Sequence, residues 1–179
     1  MLSLTIQEQE FFDEQTSSFT TKPQVQLQLE HSLVSVSKWE AKWNKPFLSR
    51  EPKTVEETID YIKCMTLNKN VSDEVYTRLT NGNIGEVTNY IEAPMTATTI
   101  RSTNKGGSRE IITSELIYYW MIALNVPFEC QKWHLNRLLT LINVCNVKNA
   151  PPKKMAQHEL MARNAQLNAA RKKALTTSG

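Results

Sequence analysis

Glu56, Glu57 and Asp60 place three carboxylates within one helical turn and a half, a grouping that acid–base chemistry could use. A plainer origin is available, because the partial positive charge at a helix N-terminus favours acids in the first turn. Glu115 and Glu129 stand in the same relation to helices predicted further along. A metal centre would need converging His, Cys or carboxylate ligands. The nearest couple, Cys130 and His134 at i, i+4, has no second pair elsewhere, and the chain contains no HExxH. Gly106-Gly107 lacks the further glycines and the lysine of a phosphate-binding loop, and there is no GxSxG. These patterns predict no catalytic residue, no metal and no cofactor. The expectation is a protein that is not an enzyme and acts by binding other proteins.

Residues suited to binding are easier to find. Trp39, Trp43, Trp120 and Trp133 are many for 179 residues, and tryptophan anchors interfaces because it buries a large area at low entropic cost. Trp120 falls in the most apolar segment and is assigned to the core. Trp39, Trp43 and Trp133 neighbour Lys38, Lys42, Lys132 and His134, and they are candidate partner-binding residues as well as candidate core. The second candidate surface is basic. Lys153, Lys154, Arg163, Arg171, Lys172 and Lys173 face one acid, Glu159, for a local charge of +5, so the preceding residues carry −2 of the net +3. Spaced cations of this kind could meet nucleic-acid phosphates. The tail has no aromatics for base stacking and no known DNA-binding module, which disfavours nucleic acid and leaves a protein-binding arm.

These candidates need elements to position them. Leu2, Leu4 and Ile6, and then Val25, Leu27 and Leu29, alternate with polar residues at the period of strands, so a hairpin is predicted with the polar stretch Asp13–Lys22 as its turn and Phe11, Phe12 or Phe19 covering one face. From His31 to Trp43 apolar residues recur every three or four positions, with Leu33, Val36, Trp39 or Glu40, and Trp43 facing inward, until Pro46. Thr54 with Glu57 reads as a capping box opening a helix that buries Val55, Ile59, Ile62 and Met65. Two short helices, Asp73–Thr80 and Ile84–Glu92, are divided at Asn81-Gly82. A mid-chain hairpin is expected from Met95–Arg101 and Arg109–Thr113 around Gly106-Gly107. Leu116–Leu124, apolar all round, is predicted to be the buried central helix, packed antiparallel against a long helix Glu129–Val147. Lys154–Leu175 has high helix propensity but few large apolar side chains.

The predicted fold is therefore mainly α: a compact helical domain over 1–150 with small N-terminal strands and a mid-chain hairpin, and a basic helical arm over 151–179. The longest apolar stretch is too short for a membrane span, and no secretory signal is read at the start. Three cysteines without CxxC spacing are expected to be reduced core residues, in keeping with a cytoplasmic setting.

The segment TSELIYYWMIALNVPFECQKWHLNRLLTLINVCNVKN resembles proteins of tailed bacteriophages, as do WEAKWNKPFLS and YIEAPMTATTI before it and PPKKMAQHELMARNAQLNAARKKAL after it. The resemblance runs from about Leu29 to the end and is to tail assembly chaperones. It implies binding of the tape measure protein and recruitment of tail tube subunits during tail morphogenesis, with self-association a further option. It also implies residence in the cytoplasm of the infected bacterial host and absence from the mature virion. The alternatives are a permanent tail or connector component of the virion and, less favoured, a nucleic-acid-binding protein using the basic arm.

Overall fold

The computed structural model describes residues 1–13, 18–99, 111–150 and 157–176. They form two units, Met1–Lys148 and Asn149–Gly179. The fold is mainly helical with small antiparallel β elements.

The first unit opens on β1 (Leu2–Ile6), β2 (Gln9–Asp13), β3 (Ser18–Lys22) and β4 (Val25–Leu29). β1 pairs with β4, setting Leu2 opposite Leu29, Leu4 opposite Leu27 and Ile6 opposite Val25. Alternation puts these side chains on one face, where Leu4, Ile6, Leu27 and Leu29 are fully buried. β2 pairs with β3, so the stretch expected to be a turn from Asp13 to Lys22 is largely a strand. Its threonines suit a pleated surface and pair across it, a cross-strand effect that polarity alone conceals. The two ladders are one hairpin broken between Ile6 and Gln9 and between Lys22 and Val25, where Pro23 has no N–H to donate. The phenylalanines do not cover the β1–β4 face. Phe12 and Phe19 meet in a tilted pair with ring centroids 5.1 Å apart and remain exposed.

Beyond β4, helix α1 (Leu33–Trp43) is capped by Ser32, whose Oγ accepts from the Ser35 N–H, and ends at Asn44 in the left-handed region with φ 51°. Helix α2 (Val55–Met65) carries the expected capping box: Thr54 accepts from Glu57 N while Glu57 accepts from Thr54 N. Ile62 and Met65 are buried as expected and Ile59 partly so. Val55 is exposed instead, because the buried face of α2 is rotated toward Tyr61, Glu57 and Asp60. Replacing Thr54 by Ala removes one acceptor from the box. A loss of about 1 kcal/mol is expected in chemical denaturation, and no loss would show that the cap is redundant.

The chain leaving α2 runs beside β4. Glu30 N donates to Met65 O at 3.0 Å and Leu67 N to Gln28 O at 2.8 Å, while Asn68 Oδ1 accepts from Gln28 N at 2.6 Å. This covers the free edge of β4. Helix α3 (Asp73–Thr77) and helix α4 (Asn81–Glu92) follow. Asn81 and Gly82 are not the divider expected between them but the first turn of α4, since Thr80 and Asn83 form a second capping box. α4 packs on β1. No strand is present in Met95–Thr99 or Ile111–Thr113, and the rest of the expected mid-chain hairpin, 100–110, lies outside the described residues.

Helix α5 (Ser114–Ala123) departs most from expectation. Ile117 and Met121 are buried, but Tyr119 and Ile122 are 63% and 61% exposed and Trp120 is half-buried. α5 packs chiefly on α1, with Tyr118 also reaching Gln131 and Phe128 of the 3₁₀ segment, and its Tyr119 and Ile122 side is left open. The expected long helix Glu129–Val147 is two elements, a 3₁₀ helix (Phe128–Lys132) and α6 (Leu135–Asn149), and α5 and α6 do not form the expected close pair. The centre is α1, packed against α2, α5 and the 3₁₀ helix. The second unit contains α7 (Gln157–Thr176).

Candidate partner-binding surfaces and the polar scaffold beneath them

The three candidate tryptophans are held by contacts within the chain. Trp39 is 1% exposed and its indole N–H donates to Glu57 O at 2.9 Å, so the interface role is corrected to a core role: α1 turns this side chain onto α2. Trp43, half-buried, donates to Asp60 Oδ2 at 3.0 Å, and Asp60 also pairs with Lys42. Trp133, half-buried, has the Arg137 guanidinium 4.2 Å from its ring centroid. Trp43 and Trp133 therefore keep some accessible surface while each is anchored by a neighbour on this chain.

The carboxylates at the start of α2 do more than answer the helix dipole. Glu57 is buried, with Oε1 accepting from Lys45 at 2.6 Å and Oε2 from the Thr54 amide at 2.7 Å. The Lys45 bond holds its carboxyl below the usual range, and the same contact raises the Lys45 ammonium. Hydrogen bonding to Asp60 likewise raises Lys42. These pairs join α1 and the segment after it to α2.

Two features of this scaffold gave no expectation as sites. Glu40, buried on α1, accepts from Phe47 N through Oε1 and from Ser114 N through Oε2, both at 2.7 Å. The second bond is a cap for α5 supplied from 74 residues away, and Thr113 at the N-cap position makes no capping side-chain bond of its own. The available sequence signal was an acid standing on the apolar stripe of α1.

His31 and His134 form the other feature. Their rings meet edge to face at 5.0 Å and both residues are buried. His31 Nδ1 lies 2.5 Å from Tyr61 Oη. His134 Nε2 donates to Tyr90 O at 3.0 Å and its Nδ1 accepts from Asn136 N, which defines the neutral Nε2–H tautomer. Burial, then the neighbouring His134, pushes His31 down to about 3. Burial also lowers His134. Scattered over the sequence, these histidines gave no sign that they meet.

Lys153 and Lys154 lie outside the described residues. Arg163, Arg171, Lys172 and Lys173 are all on exposed positions of α7. Leu160 and Leu167 on the same helix are about half exposed, and with Ala174 they recur every seven residues. At roughly 1.5 Å per residue, α7 is about 30 Å long.

Among the described residues no group of three or more His, Cys, Asp or Glu is placed to hold a metal ion, and no helix is long and apolar enough to cross a membrane. Comparison with family models, curated proteins and solved structures finds no match.

Proposed function

We propose that this protein is a phage tail assembly chaperone that binds the tape measure protein and recruits tail tube subunits through protein surfaces, without chemistry of its own. Its place of action is the cytoplasm of the infected bacterium. The resemblance carried by the segments around TSELIYYW and PPKKMAQHEL supports this reading. The structural observation that carries it is α7: twenty residues of helix in a unit separate from the core-bearing one, basic, with its described side chains exposed.

A helix that buries little in its own chain gains most of its stability from what it packs against. Leu160, Leu167 and Ala174 line a narrow stripe with the seven-residue spacing that suits a second helix, and a long helical tape measure protein presents such surfaces. Cations flanking the stripe add attraction to an acidic partner.

The test is binding to an immobilised tape measure fragment by the full chain and by a version ending at Pro152. At least a tenfold loss of affinity on truncation is expected. Unchanged binding removes the arm from the interaction. Mass spectrometry of purified particles then separates a chaperone, which leaves before completion, from a permanent tail or connector component.

A further inference from the structure

The base of the β2–β3 hairpin holds an arginine whose charge no acid among the described residues answers. Arg78, following α3, is 7% exposed. Its Nη2 donates to Gln7 O at 2.6 Å and Pro23 O at 3.0 Å, bracing the two points where the hairpin passes from one ladder to the other. That accounts for one end of the guanidinium. Among the described residues Nε, which is buried, has no hydrogen-bond partner, and no carboxylate is within ion-pair distance of Arg78. The nearest acid on the same cavity wall, Glu74, is engaged by Lys22.

Keeping a guanidinium out of water without a counter-charge is costly, and a planar cation of this kind is matched best by a carboxylate. Arg78 lines a cavity of about 430 Å³ whose other walls are Phe11, Phe12, Thr20, Lys22, Glu74 and Thr77. One wall is aromatic, and the Thr20 hydroxyl can donate to an anion, the Thr77 hydroxyl being donated to Glu74 O at 2.8 Å. β2 and β3 form a sheet of two strands, so each has an outer edge with no partner strand. Phe12 and Phe19 present an exposed aromatic pair on that same hairpin.

We propose that this pocket binds the side-chain carboxylate of an extended acidic segment of a protein partner, with an apolar neighbour of that residue against Phe11 and Phe12. Charge complementarity selects the carboxylate, and the open strand edges favour a peptide backbone over a small molecule. The proposal does not depend on the chaperone reading: it concerns a different unit of the chain from α7, and either can fail alone.

The experiment is a titration of the full-length ¹⁵N-labelled protein, reading backbone amides and the Arg78 Nε–H resonance. The probes are the blocked peptide acetyl-Val-Leu-Glu-Phe-Val-amide, the same peptide with Gln for Glu, and phenylacetate. Saturable shifts at Arg78 Nε–H, Phe11, Phe12 and Thr77 are expected with the Glu peptide, at least tenfold weaker with the Gln peptide and weaker again with phenylacetate. Phe11→Ala should weaken the Glu peptide several-fold. Equal binding of the Glu and Gln peptides, or no shift at millimolar peptide, overturns the site. Phenylacetate binding as tightly as the Glu peptide overturns the protein-segment assignment. Arg78→Lys should abolish the Glu-over-Gln preference, and retention of that preference overturns the role of Arg78. If that variant does not fold, the Glu-against-Gln comparison on the unaltered chain still decides.

Discussion

Replacing Glu40 by Ala is expected to destabilise the fold by about 3–5 kcal/mol, because two buried amides lose a charged acceptor together. Phe47 N and Ser114 N each lie 2.7 Å from a Glu40 carboxylate oxygen, and the N-cap residue Thr113 makes no capping bond at the start of α5. The loss has two parts. One is the pair of charge-assisted hydrogen bonds, at roughly 1.5–3 kcal/mol each before any relaxation. The other is the docking of α5 on α1, which depends on the same carboxylate. Glu40→Gln keeps one acceptor oxygen and should recover part of the deficit. Denaturant midpoints of the wild type and both variants check this, and a Glu40→Ala loss below about 1 kcal/mol would mean that water serves both amides equally well.

Lowering the pH from 7.5 to 5 should destabilise the protein by about 2 kcal/mol through His31 alone. Its imidazole is held at about 3 in the folded state, against about 6.5 in an unfolded chain. Below 6.5 the unfolded chain takes up a proton that the folded one refuses, so stability falls steadily as the pH drops toward 3. His134 is lowered too and adds a contribution of the same sign. The carboxylates held low, Glu57, Asp73 and Glu115, act only once the pH falls below the ordinary carboxylate range, so they do not confuse the interval between 7.5 and 5. Thermal unfolding followed across that interval should show a midpoint falling by roughly 4–8 °C. In His31→Gln, which carries no titrating group at that position, the slope should be clearly shallower. A midpoint that does not move with pH, or an unchanged slope in the variant, would show that the two rings are hydrated or that the pair opens readily.

Much of the fold can be read along the chain because neighbouring residues settle it. The alternation of Leu2, Leu4 and Ile6 with polar residues, and of Val25, Leu27 and Leu29 likewise, specifies both the strands and the face they bury. Thr54 and Glu57 are three residues apart and satisfy one another. α7 follows from helix propensity and the absence of Gly and Pro. Where the reading failed, more than one local outcome was open. An all-apolar α5 could be covered on every side or on one, and periodicity does not count neighbours. The polar threonines of β3 read as a turn because their partners in β2 lie across the hairpin.

The candidate sites divide in the same way. Trp39 has the composition of an interface residue and the position of a core one, and which applies depends on whether α2 arrives over it. The meeting of His31 with His134, the reach of Glu40 to Ser114, and the bracing of Gln7 and Pro23 by Arg78 span dozens of residues. Sequence by itself determined the amphipathic strands, the capped helices and the basic C-terminal helix, since each rests on hydrogen bonds or burial patterns completed within a few residues. Only the tertiary structure decided which polar groups are buried and with whom, because desolvation and pairing are set by groups that the chain brings together from far apart.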